Sequence, residues 1–111
     1  MDMVKSYNQY EVYWISLDPS QGSEMAKTRP CVIISPNELN LHLRTVIIAP
    51  ITSTIREYLW RVVCTISNKK GEIAVDQLKV VDKTRIGSKI SKLSNKEISQ
   101  LKEVIQQMLV D

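Results

Sequence analysis

Apolar residues in this chain fall into short runs, most with the period of a strand. Residues 11–17 (EVYWISL) alternate and are rich in β-branched and aromatic side chains, which predicts a half-buried strand. Residues 31–35 (CVIIS) and 45–51 (TVIIAPI) are near-continuous apolar runs of strand length. Residues 61–66 (RVVCTI) alternate again, and two further apolar runs, 72–75 and 78–81, flank the dipeptide Asp76-Gln77. Ser67-Asn68-Lys69-Lys70-Gly71 reads as a hairpin connection and Asp18-Pro19-Ser20-Gln21-Gly22 as a loop, while 36–43 allows one short helical turn. Five or six short strands so closely spaced predict a small, curled antiparallel sheet or barrel.

Near the C-terminus the period changes. Ser94-Asn95-Lys96-Glu97 fits a capping box, with Ser94 as N-cap and Glu97 three residues on, and Leu93 and Ile98 sit where a hydrophobic staple would. Ile98, Leu101, Ile105 and Met108 then follow at spacings of three and four, one face of an amphipathic helix whose expected partner is the sheet. The fold class is mainly β with one C-terminal helix (α+β). No repeat, low-complexity tract or linker interrupts the chain, so residues 1–111 read as one domain.

Composition narrows the function classes. A chain of 111 residues with 43% hydrophobic and 24% charged residues is an ordinary globular domain with room for a core. The net charge of +3 is compatible with a nucleic-acid partner without demanding one. The start of the chain lacks a signal-peptide pattern and no apolar run nears the ~18 residues of a membrane span, so a cytoplasmic protein is expected. Cys31 and Cys64 lie in apolar runs and read as small buried hydrophobes. With one histidine and two separated cysteines there is no standard zinc set, and neither metal nor cofactor is expected.

Four polar features stand out. Pro30 pushes Arg29 towards extended backbone at the lip of an apolar strand, where its planar fork could match two phosphate oxygens; capping the strand or an internal ion pair explains it equally well. Thr52-Ser53-Thr54 follows the run 45–51, and a hydroxyl there can donate to an anion or merely satisfy the turn backbone. Asp76-Gln77 interrupts two apolar runs, as an ordinary turn also would. Lys27, Arg56, Lys79, Lys83 and Arg85 form a basic set that could equally be a solvated face. His42 lies outside these features and reads as structural or surface, and a lone histidine excludes a two-histidine ribonuclease.

Val12-Tyr13-Trp14-Ile15, Gly22-Ser23-Glu24, Arg29-Pro30-Cys31-Val32-Ile33-Ile34-Ser35-Pro36, Ile48-Ala49-Pro50-Ile51-Thr52-Ser53, Gly71-Glu72-Ile73-Ala74-Val75-Asp76-Gln77 and Val81-Asp82-Lys83-Thr84-Arg85-Ile86 occur in an order that resembles the MazF/PemK family of toxin endoribonucleases. The resemblance covers nearly the whole chain. It implies an SH3-like small barrel with a C-terminal helix, working as a homodimer on single-stranded RNA and silenced by a partly disordered antitoxin. It also implies Arg29 and Thr52 as the catalytic pair, with Glu24, Asp76 and Gln77 lining the RNA site; Lys27, Ser53 and Lys79 are expected to bind substrate beside them. The implied reaction is metal-independent attack of the 2′-OH on the adjacent phosphorus. The chain departs from the pattern at Ala74, where some relatives carry a basic residue, at Thr28 in place of His, and at Leu59 in place of Pro. Two other functions remain open: a toxin of the same fold that binds DNA gyrase through its C-terminal helix, and a plain RNA-binding barrel. The Arg-Pro and Thr-Ser steps favour the nuclease over the first, and 5% aromatics with no Phe weakens the second.

Overall fold

In the computed structural model, residues 6–17 and 27–110 are described. Strands β1 (Glu11–Ser16) and β2 (Thr28–Ile33) lead to a short helix α1 (Asn37–His42) and the long strand β3 (Thr45–Thr52). A hairpin of β4 (Arg61–Ile66) and β5 (Lys69–Ala74) follows, then β6 (Lys79–Asp82), β7 (Ile86–Lys92) and the helix α2 (Asn95–Leu109). Single 3-10 turns cover Val75–Gln77 and Lys83–Arg85. Every strand pairing is antiparallel, in the order β4-β5-β3-β2-β1-β7, with β6 also on β3.

Strand β3 holds the sheet together because it changes partner along its length. One edge pairs with β2. The other pairs with β6 through Thr45 to Ile48 and with β5 at Ile51 and Thr52. Pro50 lies between those two stretches, and a residue with no N–H cannot donate to a ladder. The sheet curls around this switch.

Successive residues of the central strands feed two different cores. Val12, Val32, Ala49 and Ile51 join a cluster with Val62, Ile73 and Leu101. Tyr13, Cys31, Ile33 and Ile48 join a second with Ile15, Val46 and Val81. Strands buried on both faces read as continuous apolar runs, which is why 31–35 and 45–51 lack alternation.

Helix α2 closes the first cluster. Ser94 Oγ accepts the Glu97 N–H at 3.2 Å, and Glu97 Oε1 accepts the Ser94 N–H at 2.8 Å, so the predicted capping box is present. Glu97 Oε2 also accepts the Thr65 N–H at 2.9 Å, pinning the helix start to β4. Leu101 is fully buried, with Ile98, Val104 and Ile105 packed on the same cluster. Met108, expected on this face, is exposed, as are Leu109 and Val110 after it. No described helix is long and apolar enough to cross a membrane.

Other boundaries shift too. β2 begins at Thr28 and includes Arg29-Pro30, because pairing with β1 extends it outward. Ser35 leaves the strand to accept the Ile47 N–H on its Oγ at 3.0 Å. β7 is not foreshadowed by its residues, IGSKISK, whose apolar positions are too sparse. It is a strand because the edge of β1 accepts it. Both cysteines are buried and unpaired, and burial pushes each thiol up to about 12.

Candidate active site

Strand register decides which polar residues meet. β2 pairs with β3 as Cys31 with Pro50, Val32 with Ala49 and Ile33 with Ile48, so continuing that register by two residues sets Arg29 opposite Thr52. The recorded partner of Arg29 is Ile15 on β1, and that of Thr52 is Glu72 on β5. The close approach of β5 to Thr52 depends on Gly71: a Cβ there would stand 3.0 Å from the Thr52 carbonyl oxygen. Thr52 Oγ1 accepts the Thr54 N–H at 3.1 Å. The turn thus occupies one lone pair of the hydroxyl and leaves its proton available to donate.

Arg29 and Thr52 open onto a groove of about 570 Å³. Lys27, Arg56, Arg61 and Lys79 bring the cations around it to five, and Thr54 and Gln77 add neutral donors. Among the described residues no carboxylate lines the groove. Of these five, Arg61 alone has an ion pair among the described residues, and a polyanion laid along the groove would balance the charge of the other four.

The carboxylates nearby are engaged elsewhere. Arg61 Nε donates to Asp76 Oδ1 at 2.8 Å, and Arg61 Nη2 to Oδ2 at 3.4 Å. That hydrogen-bonded carboxylate holds the Arg61 guanidinium above its already high pKa. Glu72 is fully buried; its Oε1 lies 3.7 Å from Arg61 Nη1. Glu72 also accepts the N–H groups of Arg56 at 3.0 Å and Glu57 at 2.8 Å. Glu57 sits at φ 59°, a left-handed conformation that a non-glycine residue adopts at a cost, and the Glu72 bond holds it there. One buried carboxylate therefore fixes the loop 53–60 that delivers Thr54 and Arg56 to the groove. Arg61 further lies over the Tyr58 ring, 5.5 Å from its centroid, and Tyr58 stacks on Trp60 at 4.8 Å.

Of the residues singled out in the sequence, Lys27, Arg29, Thr52, Gln77 and Lys79 surround one groove. Ser53 faces a second depression that also shares Arg29 and Thr52. Asp76, expected to line the site, instead gives its carboxylate to Arg61. Glu24 lies outside the described residues. Lys83 Nζ donates to the Asn40 carbonyl, and neither Lys83 nor Arg85 reaches the groove. His42 ends α1 on the surface, away from it. Ala74 lines the groove, and its cross-strand partner is Arg61. Sequence reasoning passed over Arg61 and Glu72. The signal for Glu72 was present as a charged residue inside the apolar run GEIAV. Among the described residues no group of three or more His, Cys, Asp or Glu is arranged to hold a metal ion.

Residues 8–109 match the family model described as PemK-like, MazF-like toxin of type II toxin-antitoxin system. The chain is 33% identical over 101 residues to an endoribonuclease MazF of Staphylococcus saprophyticus, covering 86% of this chain and 84% of the relative. Its fold is that of MazF in a MazE-MazF crystal structure from Deinococcus radiodurans, with a TM-score of 0.82 at 17% identity, covering 96% of this chain and 97% of that one. An endoribonuclease solved in complex with its cognate antitoxin, from a mycobacterial species, superposes with a TM-score of 0.78 at 20% identity, over 92% of this chain and 93% of that one. With its curled sheet, its C-terminal helix and an Arg-Pro strand set across from a Thr-Ser strand end, the chain belongs to the PemK-like, MazF-like toxins of type II toxin-antitoxin systems.

Proposed function

We propose that this toxin, a single domain over residues 1–111, is an endoribonuclease that cuts single-stranded RNA, mRNA above all, within the cytoplasm. The observation that carries the reading is that Arg29 of β2 and Thr52 of β3 line one groove together with four further cations. The 2′-OH attacks the adjacent phosphorus, the 5′-oxygen leaves with a proton, and the products are a 2′,3′-cyclic phosphate and a 5′-OH end. Negative charge builds on the non-bridging oxygens as the new P–O bond forms. Arg29 binds those oxygens with two parallel N–H groups, and Thr52 adds one O–H donor. Arg29 acts here by its charge and its fixed fork of N–H donors. Glu72 and Asp76 are engaged by backbone N–H groups and by Arg61, and neither carboxylate lines the groove.

Lys27, Lys79 and Arg56 contact the phosphates on either side, and Gln77 and Ser53 supply neutral hydrogen bonds to sugar or base. By family membership the chain works as a homodimer, and a cognate antitoxin closes the same groove. This follows the antitoxin-bound relatives in kind. The chemistry draws on no metal ion or cofactor.

The test is to incubate the purified protein with a long RNA in EDTA and map the new 5′ ends. Cuts at a short recurring motif, ending in 5′-OH, are expected. A substrate carrying deoxyribose at the cut position should resist cleavage completely; cleavage of that substrate, or no cleavage of any RNA, overturns the reading.

A further inference from the structure

Arg29 and Thr52 form a ridge, and the depression on its far side differs from the groove in kind. It holds about 290 Å³ and is lined by Trp14, Pro30, Ile51, Ile66 and Ile90. Its polar rim is made by Ser53 and by the β4–β5 hairpin, which contributes Ser67, Lys69 and Lys70. Ser67 and Asn68 both have positive φ (51° and 64°), the geometry of a tight two-residue turn, so both lysines leave it at a fixed distance from the ridge.

Trp14 is 43% exposed in the middle of β1, between the buried Tyr13 and Ile15. The β1–β7 register shifts on both sides of Tyr13, and Gly87 brings β7 so close that a Cβ would stand 3.1 Å from the Trp14 carbonyl oxygen. A strand irregularity of this sort re-aims a side chain. Here it leaves a large aromatic ring facing an open apolar hollow beside the reacting centre.

We propose that this hollow is a nucleobase slot, which takes the heterocycle of a nucleotide flanking the phosphate held by Arg29 and Thr52, with Trp14 as its stacking surface. The inference rests on the RNA-cleaving function argued above. The occupant follows from the lining. A bare anion would match Lys69, Lys70 and Arg29 but leave Trp14, Ile66 and Ile90 unused. An apolar protein side chain would cover the floor but desolvate three unpaired cations. A nucleotide joins a flat apolar ring to an anion, and so uses both the apolar floor and the cations that line this hollow. Stacking by itself tolerates any base. Ser53 and Ser67 are the neutral hydrogen-bonding side chains at the slot's rim, and they discriminate one base edge from another.

The test uses wild-type protein and the cut site mapped above. Oligonucleotides are made abasic at one flanking position or the other, and single-turnover cleavage is measured. One abasic position should cost about 5- to 150-fold in kcat/KM, the range of one lost aromatic stack. Trp14→Ala should cost a similar factor on the intact oligonucleotide and almost nothing further on that abasic one, while Trp14→Phe restores most of the rate. In a Trp60→Phe background, which leaves Trp14 as the sole indole, a deoxy-blocked intact oligonucleotide should quench its fluorescence and the abasic one should not. If RNA is cut and both abasic substrates are cleaved like the intact one, or both still quench Trp14, the slot is wrong and the RNA-cleaving function stands. If no RNA is cut, that function has failed first. Should Trp14→Ala not fold, the abasic series and Trp14→Phe decide the matter on their own.

Discussion

Arg29 and Arg61 line the same groove, and their surroundings give them opposite jobs. Arg61 is almost fully committed: two hydrogen bonds to Asp76, the Glu72 carboxylate at 3.7 Å and the Tyr58 ring beneath it. Arg29 makes no side-chain hydrogen bond or ion pair among the described residues. What holds Arg29 is covalent and architectural: the Pro30 ring, the β1 ladder at Ile15 and the buried Cys31 beyond. A cation neutralised inside the protein serves the protein. One fixed by strand geometry, with no counter-charge among the described residues, is free to take the role proposed for Arg29.

Substitutions should separate the two. Arg29→Ala should lower single-turnover RNA cleavage by about 10²–10³-fold or more, the cost of losing a preorganised donor to a developing oxyanion. Its melting temperature should stay within a few degrees of wild type. A large drop in melting temperature would make Arg29 a structural cation like Arg61. Thr52→Val, which keeps the shape and removes the donor, should slow cleavage by about 10–100-fold, and Thr52→Ser should recover most of it. If valine is as active as threonine, the hydroxyl serves only the Thr54 turn.

Arg61→Ala should invert the pattern. It leaves Glu72 buried without its cation, though still holding two backbone donors, so a loss of about 2 kcal/mol in denaturant-measured stability is expected. KM for RNA should rise as the loop 53–60 loosens, while kcat changes little. A fall in kcat as large as that of Arg29→Ala, with stability intact, would put both arginines in the same role.

The smallest effect concerns the anchor of β2. Burial pushes the Cys31 thiol up from an ordinary 9.0 to about 12, and Cys64 likewise. The fold therefore favours the neutral thiols. This stability is fully present below about pH 9, where the unfolded thiols are also neutral, and drains away as pH rises from there towards 12. Iodoacetamide should leave both thiols of the native protein unmodified at pH 8 and react only after denaturant is added. Rapid native-state labelling of Cys31 would mean that the strand carrying Arg29 opens readily.

Legibility divides along the range of the interactions. The capping box of α2 is a contact three residues long and was readable letter by letter. So were the bounds of β4, whose alternation matches its one buried face. Strand β7 was not readable, because two apolar residues in seven make no pattern. Arg61 looked like an ordinary strand start because both of its carboxylate partners are more than ten residues away.

The residues themselves determined a curled β domain, its closing helix and the reactive-looking side chains at 29, 52, 76 and 77, since each of these is a matter of local period, capping or proline geometry. Tertiary structure decided which of them meet. The register of β2 on β3 put Arg29 across from Thr52. The approach of β5 at Gly71 buried Glu72 under the loop. The pairing of Arg61 with Asp76 took one expected site residue out of the groove. Such choices are made by backbone hydrogen bonds and charge pairing between residues far apart in the chain, and no local pattern of apolar and polar residues encodes them.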